Sequence, residues 1–387
     1  MGWCREMYNN WNTVPFTEAV EICDSLRRPI NSSERAARIN GKKQSELYPY
    51  YGATGQVGFI DDYITDGEYV LLGEDGAPFL DAYAPKAYIV NGKTWVNNHA
   101  HVLRSKTNNK FLCYYLNSFN YKGFVSGTTR LKLTQAEMKR IPVPIPPIPE
   151  QERIVARIEE LFSQLDAGVE TLKKTKAQLA VYRQAVLKEA FGTIAERVPL
   201  GCISESRLGK MLDKEKNTGV PRKYLRNINV RWFSFDLTDL LEMRIEDDEI
   251  EKYSICKGDL IICEGGEPGR CAVWQRDDAL FYQKALHRVR FTDGSNPFFY
   301  MYYLWYATQT GQLKPYYTGT GIKHLTGQSL VKVPVPTVGK EIQNNTVTEI
   351  ESRLSVCDSI EQTVDAALQQ AEAMRQSILK DAFEGRL

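Results

Sequence analysis

Apolar residues recur every seven positions along two long stretches of this 387-residue chain. In the first stretch Ile158, Leu165, Leu172, Leu179 and Val186 keep the spacing, and Ile154, Leu161 and Tyr182 fill the alternate seam position. In the second, Ile350, Cys357, Val364, Ala371 and Ile378 keep it. Such a stripe on an otherwise polar segment predicts a coiled-coil helix. One offset of 192 residues lays the two stretches on each other, down to the shared endings Arg183–Phe191 and Arg375–Phe383. The chain is therefore a tandem of two equivalent halves. From Ile154 to Val186 about 33 residues, at ~1.5 Å each, give a rod of roughly 50 Å. Neither stripe can bury itself alone. The economical partner is the other copy, paired antiparallel about a pseudo-two-fold axis, since a globular segment separates them. Two helices packing on separate domains is the alternative.

Between the helices the pattern shifts to short apolar runs. Tyr69–Leu72 and Asp259–Ile262 read as buried strands, and Phe111–Leu116 and Phe299–Leu304 as aromatic helices. Ala87–Val90 and Lys93–Val96 around Asn91-Gly92 predict a β-hairpin with a type I′ turn. Ile141–Pro149, with five prolines, predicts a stiff extended connector, because proline lacks the N–H a sheet or helix needs. Pro149-Glu150-Gln151 then opens the first helix, and Gly192 is placed to end it. The second approach, Pro336 to Gln343, lacks that intact tripeptide. The loop Gly127–Thr134 is answered by Gly319–Thr326, and Asn98–Arg104 by Gln283–Arg290. The expected fold class is α/β (mixed α+β), with two similar domains of twisted β-sheet joined by two long helices. The expected boundaries are 1–149, a first domain with its Pro-rich connector; 150–192, a central helix; 193–336, a second domain; and 337–387, a C-terminal helix.

Composition changes little: 43% hydrophobic and 25% charged residues are ordinary for a globular protein. The first residues, Met1-Gly2-Trp3-Cys4-Arg5-Glu6, have no apolar core of a secretory signal, and the run Phe298–Ala307 is too short to span a bilayer. The eight cysteines show no C-x-x-C spacing, so reduced thiols in a cytoplasm are expected. Charge is more informative. The net +1 conceals 17 basic against 14 acidic residues in 1–149, 20 against 18 in 192–336, and 5 against 9 after 336. Near the start of each globular part lies a basic cluster: Arg27, Arg28, Arg35, Arg38, Lys42 and Lys43, then Arg207, Lys210, Lys214, Lys216, Arg222, Lys223, Arg226 and Arg231. A charge run is ordinarily a solvated face. Recurrence in both halves, beside glycine- and aromatic-rich loops such as Tyr48–Gly58 with Thr54 and Gln56, points instead to phosphate contact. Asn97, Asn98 and Gln283 carry the amide geometry that pairs with adenine, and Arg104, Arg226 and Arg231 suit guanine. The same amides could simply hold turns. Positions matched between the halves argue for structure, and bases are better read where the halves differ. His99, Arg130, Lys132, Asn229, Lys284, Arg288 and Lys323 complete the candidate set.

Catalytic patterns fail one by one. Gly92-Lys93-Thr94 lacks the upstream glycine of a phosphate loop, where Ala87 stands. Asn296-Pro297-Phe298 has no glycine-rich cofactor fingerprint, and Glu137-x-Lys139 has no acidic partner motif. The four histidines suggest no metal set. The chain is expected to be non-catalytic and to bind no metal.

Several runs together resemble the specificity subunit of type I restriction–modification systems. They are Gly92–Leu103, Tyr224-Leu-Arg-Asn-Ile-Asn-Val230, the Pro-rich connector ending in Pro149-Glu150-Gln151, and the paired Leu-Lys-[Asp/Glu]-Ala-Phe helix ends. The resemblance implies two target-recognition domains, each reading one half of a split, asymmetric site in double-stranded DNA. It implies helices that fix the gap between the halves. Two methyltransferase subunits would dock around them, with restriction/translocase subunits in the full complex. S-adenosylmethionine and ATP would belong to those partners. No membrane is implied, and the location is the prokaryotic cytoplasm. A coiled-coil adaptor that joins proteins without reading DNA is the alternative.

Overall fold

The computed structural model describes residues 11–213 and 217–387; Lys214 and Lys216 of the second basic cluster, and Met1–Glu6, lie outside them. The chain divides into two compact units, Met1–Lys174 with Val364–Leu387, and Thr175–Thr363. Each holds one strand-rich domain and part of each long helix.

In the first unit one four-stranded antiparallel sheet runs in the order Val20–Ile22, Ala100–Ser105, Tyr69–Gly73, Ala87–Val90. All of Tyr69–Gly73 is buried, as its unbroken apolar run predicts for a strand covered on both faces. Val70 and Leu72 point with Leu103 toward helix α2 (Asn109–Ser118), where Leu112 and Leu116 meet them. Tyr69 and Leu71 point the other way, onto Val90, Val96 and Val102. Side chains that alternate across a strand make this possible, and each such fully buried leucine stabilises the fold by about 1.5–3 kcal/mol. A second sheet runs Gly55–Ile60, Tyr48–Gly52, Lys93–Val96, Thr65–Asp66, with its own core of Tyr50, Ile60 and Trp95. Helix α1 (Ser32–Ile39) lies at its edge, capped by Asn31, whose side chain accepts the Glu34 N–H at 2.8 Å.

The second unit repeats the plan. Its sheets run Ser204–Leu208, Leu286–Phe291, Leu260–Cys263, Cys271–Val273, and Leu241–Ile245, Val220–Leu225, Leu280–Tyr282, Ser254–Ile255. Leu260 and Ile262 face one cluster and Ile261 and Cys263 another, as in the first unit. The aromatic helix is α4 (Pro297–Gln309), with proline in its first turn.

Two expectations are overturned. The segment around Asn91-Gly92 is no hairpin: Ala87–Val90 pairs with Tyr69–Gly73, while Lys93–Val96 joins the other sheet, parallel to Tyr48–Gly52. A type I′ turn needs positive φ at both central residues, and only Gly92, at 74°, has it. Gly92 instead exchanges backbone hydrogen bonds with Gly67, at 3.0 and 3.4 Å, and passes the chain between sheets. Nor is the Pro-rich connector free of sheet. Pro142–Ile145 pairs antiparallel with Asn12–Pro15, and Pro334–Pro336 with Arg197–Pro199. Prolines at alternate positions remove only alternate donors, and an antiparallel edge needs only every second one. Val14 faces Val143 in the register that keeps both N–H groups.

The long helices are α3 (Ile148–Gly192) and α5 (Lys340–Phe383). In the first unit the start of α3 packs on the end of α5 through Ile154, Val155, Ile158, Leu379 and Ala382. In the second, the end of α3 packs on the start of α5 through Val186, Leu187, Val347 and Ile350. The pairing is antiparallel in each. Of the heptad positions, Ile158, Leu179, Val186, Ile350, Cys357, Val364 and Ala371 are buried, while Leu165, Leu172 and Ile378 are half-buried. At Ile378 the seam moves one residue on, to Leu379.

Gln151 and Gln343 answer each other at the helix starts. Gln151 donates to the Pro146 carbonyl at 2.9 Å and accepts from Thr107 at 2.9 Å. Gln343 donates to the Val338 carbonyl at 3.0 Å and accepts from the Asn296 N–H at 2.8 Å. The second helix start thus keeps the glutamine's role although its Pro-Glu-Gln sequence is broken.

Candidate nucleic-acid interface

Each domain carries a tight loop built on one frame. In the first, Ser126 and Lys132 exchange backbone hydrogen bonds at 3.0 and 2.8 Å; in the second, Thr318 and His324 do so at 2.8 and 3.0 Å. Gly127 (φ 101°) and Gly319 (φ 91°) open the loops in the left-handed region. A Cβ on either would collide with the carbonyl oxygen three residues on, of Arg130 or Ile322. The next residues, Leu133 and Leu325, are fully buried, and each donates its N–H at 2.7 Å to the carbonyl of Glu74 or Glu264. Their own carbonyls meet a buried histidine, His101 Nε2 at 3.1 Å and His287 Nε2 at 3.0 Å.

Behind that frame the two domains differ. In the first, His101 Nδ1 lies 2.8 Å from Asp24 Oδ2, and Arg27 pairs with both Asp24 and Glu74. Burial pushes the Asp24 carboxyl up, but hydrogen bonds from His101 and the Val102 N–H, with the Arg27 charge, hold it below its ordinary range. In the second, His287 Nδ1 is buried with no hydrogen-bond partner among the described residues. Burial pushes this imidazole down to about 4, even with the Glu264 carboxylate 3.4 Å from Nε2.

Beside the first loop opens a cleft of about 700 Å³, lined by Gly52, Thr54, Asp75, Asn97, His99 and Arg130 among others. Arg130 Nε donates to Asp75 at 2.7 Å, with His99 Nδ1 3.4 Å away. Thr54, Gln56, Asn98 and Lys132 are exposed around it, with Lys132 3.4 Å from Glu74.

Several candidates turn inward, which corrects their reading as contacts with a ligand. Lys210 is 6% exposed and sits between Glu246 and Glu249. Its ammonium hydrogen bond, first among several, holds the Glu246 carboxyl down at about 2. Arg288 is equally buried, donating to the Ser254 carbonyl at 2.6 Å. Asn97 accepts the His99 N–H at 2.8 Å, and Asn229 accepts the Arg226 N–H at 2.8 Å; both amides hold turns. Arg27 is absorbed in the histidine network. Arg226 is tied to Asp239.

Others stay at the surface. Arg28, Lys43, Arg207, Lys223 and Lys284 are exposed, and Gln283 is half-buried. Arg35 stacks over Tyr50, Arg104 over Tyr69 and Arg222 over Phe281. Lys42 pairs with Asp61 at 2.5 Å, Arg231 approaches Asp236 at 3.8 Å, and Lys323 bonds the Gly319 carbonyl at 2.8 Å. The inward set was invisible because burial is decided by strand register, not by residue type. The Asp24–His101 contact carried no local signal at all, being 77 residues apart in sequence.

Among the described residues no cluster of three or more histidine, cysteine or carboxylate side chains could hold a metal ion, and no helix is long and apolar enough to cross a membrane. Doubled loop frames with unlike tips, on domains joined by paired helices, define a tandem two-domain protein whose surfaces offer binding groups. The profile of the family described as Type I restriction modification DNA specificity domain matches residues 9–180. A Haemophilus influenzae protein assigned as a type I restriction enzyme specificity subunit is 27% identical over 372 residues, covering 92% of this chain and 91% of its own. A chain from a study of complex assembly and conformational transition of the type I R-M system shares the fold, with TM-score 0.73, 16% identity, and 97% and 98% of the two chains covered. The HsdS subunit from Thermoanaerobacter tengcongensis does so with TM-score 0.59, 17% identity, and 97% of each chain covered. Over most of its length the chain is similar to type I restriction–modification specificity subunits, and residues 9–180 match the model of their DNA specificity domain.

Proposed function

We propose that this chain is the DNA-specificity subunit of a type I restriction–modification complex. Each domain reads one half of a bipartite, asymmetric site, and the paired helices set the gap and dock two methyltransferase subunits. Restriction/translocase subunits join in the full complex, in a prokaryotic cytoplasm. The observation that carries this reading is the doubled frame: two domains of one architecture present loops of unlike sequence, as two unlike half-sites require. The chain itself catalyses nothing; a flipped base would be modified in a partner's pocket. S-adenosylmethionine and ATP are bound by those partners. Exposed Arg28, Lys43, Lys223 and Lys284 suit phosphate contacts, each of which adds about 0.9 to the slope of log affinity against log salt.

The test is methylation mapping in cells carrying the chain and its methyltransferase subunits, with anisotropy titration of the complex on duplex DNA at low and high salt. A split motif and salt-sensitive binding support the reading. Binding that is flat at low salt, with partners present, leaves a protein-joining adaptor instead.

A further inference from the structure

The two loop frames coincide in backbone but not at their tips. Counting from the left-handed glycine, the third residue is Arg130 in one domain and Ile322 in the other, and the fourth is Leu131 or Lys323. The order of cation and aliphatic residue is reversed. In each pair one side chain is held back: Leu131 packs partly against the core, and the Lys323 ammonium returns to the Gly319 carbonyl at 2.8 Å. The other projects. The Arg130 side chain is 59% exposed, and Ile322, at 74%, exceeds the other exposed large hydrophobics among the described residues. A single exposed isoleucine is ordinary on a protein surface. Here it stands where its counterpart is an arginine, on a loop whose backbone is fixed by seven-residue closure and a buried leucine anchor.

The floor under each tip matches its side chain. Asp75 receives Arg130 Nε at 2.7 Å and His99 Nδ1 lies 3.4 Å from Nη2, so the guanidinium is oriented from its inner edge while the side chain stays exposed. The residue after Glu264 is Gly265, so the second domain has no carboxylate at the position that Asp75 holds in the first. An ion pair as exposed as Arg130–Asp75 contributes little to stability, so folding alone gives no reason for the arrangement. An oriented arginine fork suits the O6 and N7 of guanine, and an aliphatic tip suits the 5-methyl of thymine.

Resting on the DNA-reading function above, we infer that Arg130 and Ile322 are specificity-determining residues, Arg130 for a guanine in the first domain's half-site and Ile322 for a thymine in the second's. The loops Ser126–Lys132 and Thr318–His324 are the elements that enter the major groove. Asp75 is a positioning residue for Arg130.

The experiment uses the full chain with its methyltransferase subunits and duplexes carrying the mapped site. Each guanine of the first half-site is replaced in turn by 7-deazaguanine, and each thymine of the second by uracil, which lacks the methyl. For the wild-type chain one 7-deazaguanine and one uracil position should each weaken binding about five-fold or more. The same replacements should have no further effect on Arg130→Ala and Ile322→Ala, respectively, and each variant should relax only its own half-site. A first half-site without guanine, analogue effects that persist in the variants, or a motif unchanged by both substitutions overturns the assignment. Because the analogues act on the unaltered protein, a poorly folding variant does not spare it. A wild-type complex with no sequence preference would overturn the function itself, not merely these two contacts.

Discussion

Arg183 on α3 donates to Asp358 on α5 at 2.6 Å. The 192-residue offset carries this pair onto Arg375 and Asp166, which are also paired, so each helix gives one arginine and one aspartate. Such reciprocity marks a self-complementary contact. The ionic part is weak, since Asp358 is 64% exposed. Arg183→Ala should therefore lower unfolding free energy by less than about 1 kcal/mol. Ile350→Ala, at 1% exposure in the seam, should cost about 2–5 kcal/mol. Urea unfolding of the full chain measures both, and equal costs would refute the apolar seam as the main attachment.

Gln343→Leu strands the Asn296 N–H and the Val338 carbonyl, which lose their buried partner. A cost of about 1–3 kcal/mol is expected, and the matching Gln151→Leu should behave alike. Thermal melts that leave either variant unchanged would show that water replaces the amide.

His287 titrates at about 4 in the folded chain, below its ordinary 6.5. As pH falls from 6.5 toward 4, the unfolded chain takes up a proton that the folded chain refuses, so stability is lost across that window. The loss reaches about 3 kcal/mol and levels off below the lower value. Urea midpoints from pH 7 to 4 should show it in the wild type, and the dependence should diminish in His287→Asn.

Inserting one helical turn, about four residues and ~6 Å, into both α3 and α5 should lengthen the tolerated gap between half-sites by roughly two base pairs. The half-sites themselves should stay the same. Methylation mapping decides, and altered half-sites with an unaltered gap would remove the helices' role as a spacer.

What could be read in advance was whatever repeats or has a strong period. The heptads from Ile158 to Val186 found α3, and Tyr69–Leu72 found the doubly covered strand, because an unbroken apolar run cannot face water. Asn91-Gly92 misled because a two-residue turn motif specifies local dihedrals, whereas the partner of Lys93–Val96 was chosen by the core of Tyr50 and Trp95 far along the chain. Basic residues misled in a similar way. Lys210 and Arg288 look like Lys223 and Lys284 as letters, and only Glu246, Glu249 and the Ser254 carbonyl tell them apart. The matched loops Gly127–Thr134 and Gly319–Thr326 were visible as an echo. Which of their side chains is held back was not, since that depends on contacts such as Lys323 with Gly319.

The ribbons Asn12–Pro15 with Pro142–Ile145, and Arg197–Pro199 with Pro334–Pro336, bring the two ends of each strand-rich domain side by side. A domain clamped at its root in this way behaves as a cassette. Recombination that exchanges the stretch between two such roots would hand the chain a new word to recognise while leaving its grammar, the helices and the other domain, untouched.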